Sequence, residues 1–162
     1  MRRLFFALIL SCFMTASAFA ATDVSKLQLA GDITAAQAQK VIEAALKTAV
    51  VQGVPMNIAI VDAGGNLKAF HRMDGAFLGS IDISIGKART ARYFNMSTYD
   101  FGAASQPGQE LYGIEVTNGN LVIFGGGELL KDANGVIVGA IGVSGGSVAE
   151  DMNVAKAGVA GF

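Results

Sequence analysis

The residue types able to do chemistry gather in one run, Asn57 to Phe94, NIAIVDAGGNLKAFHRMDGAFLGSIDISIGKARTARYF. It holds His71, the single histidine of the chain. An imidazole with Met73 two residues on shares one strand face with that thioether, an arrangement that can ligate a metal or haem iron. The other reading is a histidine packed on an apolar strand face with its ring bonded to backbone, because site histidines usually come in sets. Arg72, Asp74, Lys87 and Arg89 surround the strand-to-helix loop that follows. There a guanidinium can hold both oxygens of a carboxylate in a fork; an ion-paired, solvated face is the alternative. Gly126, within Gly125-Gly126-Gly127, belongs to a ligand platform or to a strand bulge. That triplet matches neither a P-loop nor a dinucleotide fingerprint. Gly145-Gly146-Ser147 precedes a helix start that can hold an anion, but Glu150 and Asp151 already fill its first turn with negative charge, so capping is the expected role. A serine hydrolase is poorly supported: Gly142-Val143-Ser144-Gly145-Gly146 has the Gly-x-Ser-x-Gly spacing, but one such match beside a single histidine does not make a triad.

The chain has 162 residues, enough for one domain with a real core. Its first twenty residues read as an export signal. Arg2 and Arg3 form a positive start, Leu4 to Met14 an apolar stretch too short to span a bilayer, and Ala18-Phe19-Ala20 a cleavage site. Cleavage after Ala20 is expected, with residues 21–162 forming a single domain in a periplasm or beyond. Cys12 allows a rival reading as a lipoprotein site, although Leu10 fits it poorly. Loss of the signal removes Cys12, the chain's one cysteine, and with it any disulfide, thiolate nucleophile or cysteine metal site. It also leaves ten basic against thirteen acidic residues, a balance of −3 that attracts neither nucleic acid nor anionic membrane. No stable membrane insertion is expected after cleavage.

These candidates need elements to position them. Ile33 to Gln52 is the clearest helix, opened by a Thr34/Gln37 capping box and closed by Gly53 and Pro55. Met56 to Asp62 is a central strand, Asp62 to Asn66 a hairpin turn, and Leu67 to Met73 the return strand. On that return strand Leu67, Ala69, His71 and Met73 are expected on one face, and Lys68, Phe70, Arg72 and Asp74 on the other. Ser80 to Phe94 is a second helix. Met96 to Gly119 is irregular, with a short turn capped at Ser97. Leu121 to Phe124, Glu128 to Lys131 and Val136 to Val143 are three further strands, the last two joined by an Asp132-to-Gly135 turn. Ser147 and Glu150 cap the final helix. Hairpin-linked strands with helices grouped apart predict an α+β domain on an antiparallel sheet.

Three strings, VDAGGNLKAFHRMDGAFLGSIDISIGKARTA, TNGNLVIFGGGELLKDANGVIVGAIGVSGG and VAEDMNVAKAG, together resemble the GlcG/HbpS family, also found as the C-terminal domain of PduO-type proteins. The resemblance implies a profilin-like α+β fold with a five-stranded antiparallel sheet flanked by helices. It implies homo-oligomers, dimers that often assemble to octamers. It implies haem as cofactor in some members, with roles in haem or iron handling, haem degradation or signalling to a sensor kinase. The resemblance does not fix an axial ligand. The Glu-x-x-Glu iron motif of the secreted haem-binding branch does not occur in this sequence, which counts against that branch's iron-binding role here. The leading expectation is thus an exported haem- or tetrapyrrole-binding protein, with His71 as the metal ligand beside Met73 and with Arg72, Lys87 or Arg89 on the propionates. The alternative is a binding module for a small organic acid without haem. A haem-degrading enzyme is a third reading, for which no complete set of nucleophile, base and orienting group is visible.

Overall fold

The computed structural model describes residues 31–162. The export signal, Cys12 and the cleavage site lie outside the described residues. The order is α1 (Ala35–Gln52), β1 (Asn57–Asp62), β2 (Leu67–Arg72), α2 (Gly79–Phe94), α3 (Thr98–Ala104), a 3-10 turn at Ile114–Val116, β3 (Gly127–Lys131), β4 (Ile137–Ser144) and α4 (Val148–Ala160). The strands form one antiparallel sheet in the order β2-β1-β4-β3. An α+β architecture with helices against an antiparallel sheet is therefore correct. Among the described residues no helix is long and apolar enough to cross a membrane.

Local chemistry sets the ends of these elements. The Thr34 hydroxyl accepts from the Gln37 amide while the Gln37 side chain accepts from the Thr34 amide, and Gly53 closes α1 at φ 69°. Ser147 and Glu150 repeat the box at the start of α4. The two hairpin turns share one design. In the first, Asp62 Oδ1 accepts from the Gly64 and Asn66 amides; in the second, Asp132 Oδ1 accepts from the Asn134 and Val136 amides. Gly65 and Gly135 supply the left-handed residue in each.

The sheet has a thick side and a thin side. Ile58, Ile60, Ile141, Val143 and Leu130 meet α1 and α4 in the larger core. On the other face Ala59, Val61 and Ala140 meet Ala88 and Ala91 of α2, with Phe70 and Ile85 packed against them. Small residues bring α2 down onto the strands: a Cβ at Gly142 would lie 2.0 Å from the Ser84 carbonyl oxygen.

Two sequence expectations are corrected. The described sheet has four strands, not five. Leu121 to Phe124 forms no ladder and bends at Phe124, because it runs against helices instead of a strand edge. The Val122 amide bonds the Thr90 hydroxyl at 3.0 Å, and Gly102 of α3 lies so close to the Ile123 carbonyl that a Cβ there would be 2.0 Å from its oxygen. The face assignment of Leu67 is also wrong. Ile60 pairs with Ala69 but Val61 pairs with Leu67, so Lys68 is the extra residue of a bulge. Leu67 therefore turns to the α2 side with Phe70, away from Ala69 and Met73 on the α1/α4 side.

Candidate functional site

Strand β2 is an edge strand, and it carries the sequence candidates to the surface. His71 pairs with Ile58 in register, which puts it on the α1/α4 side, and it is exposed. Its ring makes no hydrogen bond among the described residues, unlike the packed, backbone-bonded histidine that is the competing picture. Met73 does not share that freedom. It packs partly buried against the larger core, and its sulfur accepts from the Met56 amide at 3.3 Å. The structure therefore places the imidazole and the thioether on one side of the strand but turns only the imidazole outward.

Arg72 and Asp74 are exposed and enter no ion pair among the described residues. The loop after them is pinned by Asn57, the register partner of Arg72, which donates through Nδ2 to the Phe77 carbonyl at 3.0 Å. That contact holds out two apolar side chains, Phe77 and Leu78, each 70% exposed. The expected convergence of Arg72, Asp74, Lys87 and Arg89 does not occur. Arg89 lies exposed on α2, in a cleft opposite Asn118 to Val122, and Lys87 points into the interior.

Lys87 is among the largest fully buried side chains of the described residues, at 0% exposure. It starts on α2, on one face of the sheet, and reaches Asp151 of α4, which packs on the other. Its ammonium donates to Asp151 Oδ2 at 2.6 Å and to the Val143 carbonyl at 2.9 Å, and lies 4.6 Å from the centre of the Phe124 ring. Asp151 Oδ1 accepts from the Gly146 amide at 3.0 Å. Gly126 is what lets the lysine pass. At φ 120° it carries no side chain, and a Cβ there would stand 2.8 Å from Lys87 Nζ and 2.7 Å from the Val143 carbonyl oxygen. The three donors of the ammonium face two oxygens and an aromatic ring, and the carboxylate takes two donors, so the geometry is that of a charged pair.

Burial is the largest influence on both partners. It pushes the Lys87 ammonium below its ordinary value, against the Asp151 carboxylate, which raises it. Burial likewise pushes the Asp151 carboxyl up, against Lys87 and the Gly146 and Gly145 amides, which lower it. With every polar atom engaged, the pair ties α2, β4 and α4 together. The sequence pattern alone does not reveal this pair: it groups Lys87 with the cations of the strand-to-helix loop and Asp151 with the helix-terminal charges. The available signal was the small-residue setting of Lys87 between Gly86 and Ala88, facing a glycine triplet.

The other perturbed groups are peripheral. Burial pushes the Asp32 carboxyl up, but the Ala63 amide and Lys68, 3.0 Å away, outweigh it and hold it below the usual range. Burial raises Glu128 on β3, where Lys156 opposes and Asp100 adds to the shift. Among the described residues no three His, Cys, Asp or Glu side chains cluster as a metal site.

For haem, the residues that fit are the exposed imidazole of His71, which makes no hydrogen bond among the described residues, the exposed guanidiniums of Arg72 and Arg89, which enter no ion pair among them, and the apolar pair Phe77 and Leu78 on a pinned loop. Lys87, Gly126 and Met73 are committed to the fold.

Comparison with known proteins agrees with the fold and the strings that suggested it. The family model described as haem degrading protein HbpS-like matches residues 33–160. The 15.0 kDa protein of the dhaT–dhaS intergenic region of Citrobacter freundii is 41% identical over 133 residues, covering 82% of this chain and 94% of that protein. The corrinoid adenosyltransferase PduO of the same organism is 42% identical over 108 residues, covering 66% of this chain but 32% of PduO, so the match spans about a third of that enzyme. Among solved structures, a PduOC–haem complex matches at TM-score 0.77 and 35% identity, covering 81% of this chain and 95% of that one. A double mutant of HbpS from Streptomyces reticuli matches at TM-score 0.75 and 30% identity, covering 90% and 97%. With the family model spanning nearly all the described residues and solved members sharing the fold, this chain belongs to the HbpS-like family.

Proposed function

We propose that this protein is an exported haem- or tetrapyrrole-binding protein acting in haem or iron handling, with His71 as the iron ligand. The observation that carries the reading is the likeness to the PduOC–haem complex over 95% of that chain. The exposed imidazole of His71, without a hydrogen bond among the described residues, supports the ligand assignment, and the exposed Phe77 and Leu78 supply apolar surface for a macrocycle face. Arg72 is the nearest guanidinium in sequence for a propionate. Haem would supply the iron and its redox chemistry; the chain would supply binding and orientation.

Titration of the purified protein with haemin is the test. A saturable Soret shift that weakens in His71→Ala is expected. Absence of a saturable shift would exclude haem binding, whereas an unchanged shift in the variant would exclude only His71. Incubating bound haem with and without reductant, followed by product analysis, tests degradation. The export signal is tested by intact-mass measurement of the exported protein, where the mass should begin at Ala21. A homo-oligomer, a dimer or a larger assembly such as an octamer, is part of the same proposal, and light scattering coupled to gel filtration measures it.

A further inference from the structure

We infer that the cleft between α2 and the Asn118–Val122 segment is a binding site for a carboxylate, with Arg89 as its cation. The cleft encloses about 490 Å³, within the range of small-ligand pockets. Its α2 wall follows helical spacing: Asp82, Ile85, Arg89 and Tyr93 fall on one stripe, with Arg89 between an acid and an aromatic ring. Arg89 makes no ion pair and no hydrogen bond among the described residues. The other arginine of the helix, Arg92, is engaged by Asn95 Oδ1 at 2.7 Å.

The opposite wall is held in place. Asn118, Gly119 and Asn120 stand in succession at φ 51°, 73° and 79°, the left-handed region that glycine and asparagine adopt more readily than other residues. The Leu121 amide bonds the Glu115 carbonyl at 2.8 Å, and the Val122 amide bonds the Thr90 hydroxyl at 3.0 Å, fixing the segment against α2. The bulge at Lys68 adds Leu67, turned to this side of the sheet, as an apolar contact.

The ligand class follows from the charges. Arg89 offers a planar fork that matches a carboxylate. Asp82 stands two helical turns away, about 10 Å along the axis, and repels a second negative charge. A monocarboxylate with an apolar body and a hydroxyl or amino group fits both ends. The same carboxylate chemistry is offered by a free small acid and by a tetrapyrrole propionate, and the two sources are separable by experiment.

The test uses the purified chain and the variants Arg89→Gln and Arg92→Gln, with isothermal titration at fixed ionic strength by the hydroxy acids 4-hydroxybutyrate and 6-hydroxyhexanoate, and by adipate, the dicarboxylate that Asp82 is expected to weaken. Haemin and haemin dimethyl ester, whose propionates are blocked, form the second arm. Arg89 is exposed, so Arg89→Gln is expected to melt with the wild type. Saturable binding of the hydroxy acids, weakened at least about tenfold by Arg89→Gln and unchanged by Arg92→Gln, assigns a free acid. If free acids do not bind, the propionate is assigned by a tenfold loss for haemin in Arg89→Gln that is missing for the dimethyl ester. Failure of both patterns, or an equal loss in Arg92→Gln, overturns the proposal. The Soret response to His71→Ala is read separately, so haem binding and this cleft fail independently.

Discussion

Removing one partner of the Lys87–Asp151 pair should be far more damaging than removing both. In Lys87→Met, the Asp151 carboxylate loses its counter-ion and keeps backbone amides alone, Gly146 at 3.0 Å among them, and remains buried with its side chain 3% exposed. An uncompensated buried charge of that kind costs about 3–5 kcal/mol. In Asp151→Leu, the ammonium keeps the Val143 carbonyl and the Phe124 ring but loses its counter-ion, with a loss of similar size. The double variant Lys87→Met/Asp151→Leu replaces both charges by apolar atoms of comparable volume and is expected within about 1 kcal/mol of wild type, or above it. Urea unfolding of the four proteins closes the double-mutant cycle. The pH dependence carries a second signature. Asp151 is raised in the fold, so it contributes stability that is present in acid and lost as pH rises through its folded value. Lys87 is lowered, so its contribution returns only as pH rises through its folded value towards that of the unfolded chain. Between those windows the charged pair bears its full desolvation cost, and both windows vanish in the double variant. Single variants that lose less than about 1 kcal/mol, or single losses that simply add, would refute the reasoning.

Two further outcomes follow from the geometry. Asp32 is held below the ordinary carboxylate range, so it contributes stability that is present above the unfolded value and lost as pH falls through the folded one. Asp32→Asn should flatten the acid limb of a melting-temperature profile, with little change near neutrality beyond the loss of the partly exposed Lys68 contact. Gly142→Ala should cost about 3 kcal/mol in urea unfolding, since its methyl would sit 2.0 Å from the Ser84 carbonyl oxygen and 2.5 Å from the Ala88 amide nitrogen, both backbone atoms that cannot rotate away.

Short-range chemistry was legible throughout. The two capping boxes, the Gly53 stop and the two Asp-to-Gly turns each depend on residues within five positions of one another, so their sequence is their geometry. Periodicity also placed β1 as a central strand and put His71 on the side shared with Ala69 and Met73. The fifth strand failed for a physical reason. An apolar run such as Leu121 to Phe124 carries no mark of whether its amides meet a strand edge or a helix, and here Thr90 takes the Val122 amide. Leu67 failed because a bulge depends on pairing with β1, which alternation along β2 does not contain.

The sequence by itself determined the family, the α+β class, the helix ends and the hairpins, because these rest on local bonding and on a long matching string. Only the tertiary structure decided what each charged residue is for. Lys87 and Asp151 are 64 positions apart and become partners because Gly126 leaves a passage between two helices on opposite faces of the sheet. Arg72 and Arg89 enter no ion pair among the described residues. The outward turn of His71 and the inward turn of Met73, two residues apart, follow from the larger core claiming the thioether while the sheet edge leaves the imidazole in solvent.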